Sequence, residues 1–339
     1  MNFLLISLMF FLASYALSSV LVRFYLSLAT KHEFLSSHNE LNVPNKIVPT
    51  SGGLAFALAF FIILTLLSFL NYVEPPGLLP IFFGVAVITL VGFLDDLKNL
   101  SALTKIIFQI LFCSVSIYLL ELYDVTYFEN EIWSYLARMA VFLFFVWIIN
   151  TFNFIDGADG LLASNTFVLC CVLSFLFYIT DNEFLTLCLI SLAGVSIGFL
   201  SLNWAPAKLF MGDSGSLFFG SIFVALICIS ISQNILSMWT WLTLLSIFYV
   251  ETTVTLSVRL FRKENFFSSR HELHAYQRLV ISTQDHSFPS KVFIMIQCLW
   301  TIPAALFSFF YPQYDVYICL ITVTPMIIIF YYYGPRKVA

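Results

Sequence analysis

Charge is what this sequence has least of. Lysine and arginine number 15 and aspartate and glutamate 19 among 339 residues, so one residue in ten is charged, against about one in four in a soluble domain. So little charge leaves a water-facing surface almost undecorated, which excludes a soluble globular enzyme and a disordered chain. The composition equally excludes a collagen and a disulfide-stapled secreted module. The seven cysteines (113, 170, 171, 188, 228, 298 and 319) all lie in apolar runs without C-x-x-C spacing, and read as small buried hydrophobes rather than a metal or disulfide framework. No repeat, low-complexity tract or soluble domain interrupts the chain. The first apolar run lacks a positively charged leader and exceeds the apolar stretch of a signal peptide, so it reads as an uncleaved first span.

Present instead are apolar residues, 60% of the chain, with aromatics at 18%. A helix needs about 20 mostly apolar residues to cross the hydrocarbon layer. Eleven stretches qualify: roughly 3–28, 51–71, 77–94, 101–121, 133–152, 161–179, 184–202, 214–233, 237–258, 291–310 and 316–333. They are continuously apolar rather than alternating, which favours helices over barrel strands. The expected fold class is an all-α polytopic membrane protein of about eleven transmembrane helices, a single domain over residues 1–339.

Orientation follows from the basic residues. With the N-terminus outside, 14 of the 15 lysines and arginines fall on one side, Arg138 being the exception. The opposite loops hold Glu74, Glu121, Asp124, Glu129, Glu131, Asp181, Glu183 and Asp315. The basic side is placed in the cytoplasm, with the C-terminus there too. The outer loops are short, so function is expected on the inner face.

Four polar clusters lie on that face. GFLDDLKNLS ends the third span with Asp95 and Asp96. Adjacent carboxylates at a membrane boundary are costly unless they meet a cation or a substrate, although a solvated pair explains them too. NTFNFIDGADGLLASN, ending the fifth span, interleaves Asn150, Asn153, Asp156 and Asp159 with Gly157 and Gly160. Its oxygens suit a hard cation and its glycines a close phosphate approach; the alternative is a polar turn using glycine at positive φ. FMGDSGSLFFG opens the eighth span with Asp213, and Ser214, Gly215 and Ser216 fall at a helix N-terminus that favours anions, unless Asp213 or Ser214 is merely an N-cap. The longest inner loop contains SSRHELHAYQRL, where Arg270, His271, His274 and Arg278 recur at spacings that would share one face of a short helix. That cationic patch suits phosphates, or it is an ordinary positive-inside loop. Zinc is rejected, because no cysteine lies near. Glu251, within the ninth span, is a further intramembrane carboxylate, left outside the site because a hydrogen bond to a neighbouring helix explains it equally well.

A hard divalent cation with a multiply phosphorylated substrate would satisfy both the acidic and the basic clusters. In phosphoryl transfer the protein mainly positions the reactants. A membrane enzyme of this kind would join a water-soluble phosphorylated donor to a lipid acceptor.

LDDLKNL, NTFNFIDGADGL, FMGDSGS and RHELHAYQR, in this order, resemble the motifs of the polyprenyl-phosphate N-acetylhexosamine-1-phosphate transferases, a superfamily holding O-antigen-initiating enzymes and the muramoyl-pentapeptide translocase. PNKIVPTSGGL after the first span resembles its early glycine-containing motif, and the likeness covers nearly the whole chain. It implies transfer of a sugar-1-phosphate from a UDP-linked N-acetylated sugar to undecaprenyl phosphate, with Mg²⁺ (or Mn²⁺) as cofactor and UMP leaving. By motif position it implies that Asp213 ligates the metal with the Asn153 amide near it. Asp95, beside Asp96, would orient or deprotonate the lipid phosphate. Asn150, Asp156 and Asp159 would lie toward the substrates, and Arg270, His271, His274 and Arg278 would contact the donor. The implied setting is the inner membrane of a bacterium, in surface-polysaccharide (O-antigen, lipopolysaccharide) synthesis, with no nucleic acid as partner; a homodimer is compatible with the sequence, which does not fix the oligomeric state. Two departures stand out. Asn99 replaces a third acidic residue of some relatives, and the histidine loop lacks the consecutive histidines of the muramoyl enzyme, HAYQR being closer to the lipopolysaccharide branch.

The expected chemistry is a single in-line displacement at the donor's β-phosphorus. Because a phosphate monoester's second pKa is about 6, Asp95 is expected to position the lipid phosphate more than to deprotonate it. The rival is a transporter or flippase, which would place its substrate groups near the midplane, with inverted repeats and broken helices. CDP-alcohol phosphotransferases are rejected, since Leu161, Leu162 and Ala163 follow Asp159-Gly160 where their pattern wants Ala-Arg.

Overall fold

The apolar runs become helices because backbone polar groups in hydrocarbon must pair within their own segment. The computed structural model describes residues 3–32, 36–37, 48–70, 72, 78–122, 130–262 and 274–334. Among them lie α1 (Phe3–His32), α2 (Gly52–Phe69), α3 (Leu78–Lys98), α4 (Ala102–Leu119), α5 (Glu131–Ile155), α6 (Leu161–Ile179) and α7 (Glu183–Asn203). The chain continues with α8 (Gly212–Ser232), α9 (Met238–Leu244), α10 (Ser246–Phe261), α11 (Ala275–Thr283), α12 (Phe288–Ile296), α13 (Ile302–Phe310) and α14 (Asp315–Tyr333). Two-residue strands Ser36–Ser37 and Val48–Pro49 pair antiparallel.

Among the described residues ten helices are long and apolar enough to cross a membrane, α12 and α13 counting as one through the π-turn Gln297–Thr301. An eleventh crossing arises only if α9 and α10 are taken together. The ninth run, expected as one continuous span over 237–258, is broken: α9 and α10 meet at 73°. No proline or glycine sits at the break. The Ser246 hydroxyl donates to the Thr243 carbonyl, a local bond that competes with the helical ladder.

Helix ends follow side-chain chemistry. Ser101, Asn130, Asn182 and Ser237 accept backbone N–H groups at the starts of α4, α5, α7 and α9, as good N-caps do. α3 continues past the expected end at residue 94 to Lys98, which keeps Asp95 and Asp96 on its last turn. Asn99 then takes a left-handed φ of 49° and stops the helix, a conformation asparagine tolerates better than aspartate's larger relatives.

α8 lies at the centre, buried almost along its whole length, with α2, α3, α4 and α5 packed around it. Gly53 of α2 faces Gly215 of α8 so closely that a side chain on Gly53 would strike the Gly215 backbone, the small-residue contact by which membrane helices approach. Next to it, Phe56 and Phe60 pack against Phe218 and Phe219. Of the cysteines, Cys113, Cys170, Cys188, Cys228 and Cys319 are buried as expected. Cys171 and Cys298 are instead exposed on the helix surfaces, and all seven are free thiols.

Candidate active site

Four of the expected residues converge where the N-terminus of α8 meets the C-terminal end of α3. Gly212 enters α8 with φ 72°, which only glycine adopts without strain. A side chain there would also run into the Asp96 carboxylate. This turn presents the backbone N–H groups of Asp213 and Ser214 to Asp96. Its Oδ1 accepts from Asp213 N–H at 2.8 Å, and its Oδ2 accepts from Ser214 N–H at 3.3 Å. Oδ2 also accepts the Ser51 hydroxyl at 2.7 Å. Asp96 is therefore the anion at this helix N-terminus. The positive helix end read above as open to a substrate anion is already occupied by a side chain of the protein.

Asp95 points elsewhere. Its Oδ2 accepts from Lys105 Nζ at 2.8 Å, and the same ammonium donates to Asp213 Oδ2 at 2.8 Å. These three side chains keep 13–26% of their surface exposed, so the cluster is held by the bundle yet open to a ligand. Asn153 lies in polar contact with Asp213, and its amide donates to Ser216 Oγ at 3.0 Å. One turn deeper, Asn150 and Gln109 exchange amide hydrogen bonds of 2.6 and 3.4 Å, and Asn150 also donates to the Val146 carbonyl at 2.8 Å. Asn150 thereby ties α5 to α4 rather than facing outward.

The remaining members of that run separate. Asp159 is buried, and its Oδ2 accepts from Ala207 N–H at 2.9 Å. Its carbonyl accepts from Ser290. It clasps the turn after α5 to the segment before α8. Asp156, partly buried, makes no hydrogen bond to a described residue. Burial, then the negative charges of Asp213, Asp96 and Asp159, push its carboxyl well above the usual carboxylate range. The four oxygens expected to gather round one cation thus divide: Asn153 and Asp156 face the Asp213 region, while Asn150 and Asp159 join elements.

The expected one-faced Arg/His helix is also revised. α11 begins only at Ala275, and His274 is its N-cap, with Gln277 accepting from the His274 amide. Arg270 and His271 lie outside the described residues. The His274 ring is buried, with Nδ1 turned toward Glu251. Arg278 is partly exposed, and burial together with the nearby Arg262 charge lowers its pKa. Tyr276 donates its hydroxyl to the Phe154 carbonyl at 2.8 Å, which couples α11 to the end of α5. Gly157 leaves room for that ring. Burial, then the charges of Glu251 and Asp156, raise the Tyr276 phenol well above its ordinary range.

Sequence reasoning missed Lys105, Ser51 and Gln109. A lysine in the first turn of an apolar span was absorbed into the orientation rule. A glutamine inside IIFQILF was available as a signal, since intramembrane polar residues are functional by default.

The donor set fits a hard cation of one particular habit. Among the described residues no group of three or more His, Cys, Asp or Glu side chains closes on a common point. Asp95, Asp213 and Asn153 could hold an ion only if water and substrate oxygens completed its shell, as Mg²⁺ prefers. Acidic groups outnumber Lys105 around this point, so added positive charge is favoured there.

The fold and this centre define a membrane-embedded protein that gathers carboxylates and a lysine at one end of its bundle. The glycosyl transferase family 4 model matches residues 78–232. A phospho-N-acetylmuramoyl-pentapeptide-transferase of Prochlorococcus marinus is 33% identical over 276 residues, 74% of this chain and 75% of that protein. A second protein of that name, from Sulfurimonas denitrificans, is 32% identical over 60% of this chain and 65% of its own length. A Bacillus subtilis protein named "Probable undecaprenyl-phosphate N-acetylglucosaminyl 1-phosphate transferase" is 29% identical over 77% of this chain and 74% of its own length. The chain belongs to the polyprenyl-phosphate hexosamine-1-phosphate transferase family, and is a multi-pass membrane protein of that class of phospho-sugar transferases.

Proposed function

We propose that this chain transfers a sugar-1-phosphate from a UDP-linked N-acetylated sugar to undecaprenyl phosphate at the cytoplasmic face of a bacterial inner membrane. A phosphate oxygen of the lipid attacks the donor's β-phosphorus, the bond from that phosphorus to the bridging oxygen breaks, and UMP leaves with that oxygen. The observation that supports this most is the bridging of Asp95 and Asp213 by Lys105 at the membrane-end of three helices. Acidic and basic groups there are poised to meet a phosphate accompanied by a cation. Mg²⁺, held by Asp213 and Asp95 with the Asn153 amide near, would neutralise phosphate charge during transfer. Lys105 then has a phosphate oxygen as its alternative partner. Asp95 positions the lipid phosphate, whose second pKa of about 6 leaves little for a base to remove. Asp96 holds the α8 turn that places Asp213.

For the donor, relatives named for the muramoyl-pentapeptide reaction and one named for N-acetylglucosaminyl 1-phosphate both match this chain. HAYQR, without consecutive histidines, favours a donor free of the pentapeptide and a role in initiating a surface polysaccharide such as O-antigen. The test supplies the purified chain with undecaprenyl phosphate, Mg²⁺ and a panel of UDP-N-acetyl sugars, including the muramoyl-pentapeptide donor. UMP release with a simple N-acetylhexosamine is expected. Release only with the pentapeptide donor would reassign the substrate, and movement of substrate across vesicles without cleavage would make the chain a carrier. The broken α9–α10 pair is a transporter-like feature, but at its break Leu244, Leu245, Ile247 and Phe248 are buried, and the Thr243 and Ser246 hydroxyls donate to carbonyls one turn back, Trp239 and Thr243.

A further inference from the structure

Glu251 is fully buried in α10, and both of its oxygens are engaged. They contact His274 Nδ1 at 2.9 and 3.2 Å. Oε1 also accepts the Ala275 N–H at 2.7 Å, and the Thr255 hydroxyl lies 3.4 Å from it. A carboxylate can only accept, so Nδ1 is the nitrogen that donates, and the ring orientation is fixed at that end. The ring is also held on its faces, between Tyr276 at 5.3 Å and Phe154 at 6.3 Å. Nε2, at the other end, is buried and has no hydrogen-bond partner among the described residues, an arrangement that a ligand would relieve. One helical turn on, Nε and Nη2 of Arg278 are likewise buried without a partner. Two unsatisfied nitrogen-bearing side chains a turn apart suit an anion.

We propose that Glu251 is a positioning residue: it holds Nδ1–H of the His274 ring, so that when the ring carries its second proton Nε2–H, together with Arg278, donates to the diphosphate of the nucleotide-sugar donor. This rests on the transferase reading above and adds a residue that does not itself touch substrate. Arg262, whose charge acts on Arg278, and Asp156, whose charge acts on Tyr276, are further charged groups near this pair.

The test measures UDP binding to the detergent-solubilised full chain by calorimetry, with UMP release measured in parallel. His274→Ala and Glu251→Ala should each weaken UDP binding about tenfold or more, leaving the KM for undecaprenyl phosphate unchanged. Glu251→Gln, whose amide oxygen still accepts from Nδ1 and the Ala275 N–H, should stay within about threefold of the parent. The double variant His274→Ala/Glu251→Ala should bind no more weakly than His274→Ala alone. Additive losses, a loss in lipid KM instead, or unchanged UDP affinity in Glu251→Ala would overturn the assignment. If Glu251→Ala does not fold, His274→Ala and its combination with Glu251→Gln decide the matter. His274→Ala must lose UDP affinity, and the added substitution must change nothing. A parent chain that binds no UDP and releases no UMP would instead refute the transferase reading itself.

Discussion

Lys105→Met removes the ammonium while keeping the length and apolar stem of the side chain. In the parent, Asp95 Oδ2 and Asp213 Oδ2 are each 2.8 Å from Nζ, so the two oxygens are no more than about 5.6 Å apart. Without the lysine, two like charges at that separation repel by about 3 kcal/mol at an effective dielectric of 20. That agrees with the low end of the ~3–5 kcal/mol seen when one partner of a buried ion pair is removed, as suits side chains that keep some exposure. For a chain of this size the loss should lower the thermal midpoint by about 5 °C in EDTA.

A divalent cation can replace the lost charge. At 100 times its dissociation constant a ligand adds about 2.7 kcal/mol to stability, which returns most of the deficit. The measurement is a fixed-rate thermal scan in detergent, with EDTA and then with increasing Mg²⁺. Lys105→Met should start lower than the parent and gain more from Mg²⁺, while releasing no UMP. In the parent the ammonium competes with the ion for the same two oxygens, so its gain should be smaller. Equal midpoints in EDTA, or equal responses to Mg²⁺, would refute the idea that Lys105 stands where a cation binds.

Three further outcomes follow from the same geometry. Asp213→Asn should abolish UMP release with a midpoint within about 2 °C of the parent, since Lys105 keeps Asp95 as a partner; retained turnover would remove Asp213 from the chemistry. Asp96→Asn should cost about 2 kcal/mol, because it turns an amide NH₂ toward backbone donors at a helix N-terminus, whereas Asp95→Asn should cost activity with less stability, and paired scans and assays separate the two. Asp156→Asn should stabilise the fold increasingly as pH rises. The folded carboxyl keeps its proton above the unfolded value of about 3.9, so stability falls from about pH 4 upward until the raised folded pKa is passed; asparagine removes that decline, and a difference in midpoint that stays flat from pH 4 to pH 8 would contradict it.

The spans were legible because hydrocarbon allows few backbone solutions, and an apolar run of sufficient length has little choice but helix. The break at Leu245 was not, since WTWLTLLSIFYV contains no proline or glycine to announce it. Within the site, Asp95, Asn153 and Asp213 were visible as polar residues at span ends. Their partners were hidden for a physical reason. Lys105 is ten residues from Asp95 and 108 from Asp213, and only the packing of α3, α4 and α8 shows that one ammonium serves both. Glu251 and His274, 23 residues apart, were likewise two separate anomalies until α10 and α11 met. Periodicity reports which side of an element is apolar; it does not say which polar groups from different elements will face one another.

The adjacent pair Asp95–Asp96 illustrates how a motif can mislead while being correctly noticed. Successive residues on a helix point about 100° apart, so two neighbouring carboxylates on α3 cannot both address one ion from one side. Here the rotation sends Asp95 toward α4 and Asp96 into the α8 entry turn. Asp96 meets the N–H groups of Asp213 and Ser214, and Gly212 is bare because the Asp96 carboxylate fills the space a side chain would need. One aspartate therefore fixes where Asp213 stands, and the other shares Lys105 with it. The acidic character of the motif is a single requirement in sequence but two in space: a negative charge at a helix end, and a negative charge facing the position where phosphate and cation would meet. Substituting both residues together would confound a folding defect with a chemical one, which is why the two must be changed separately.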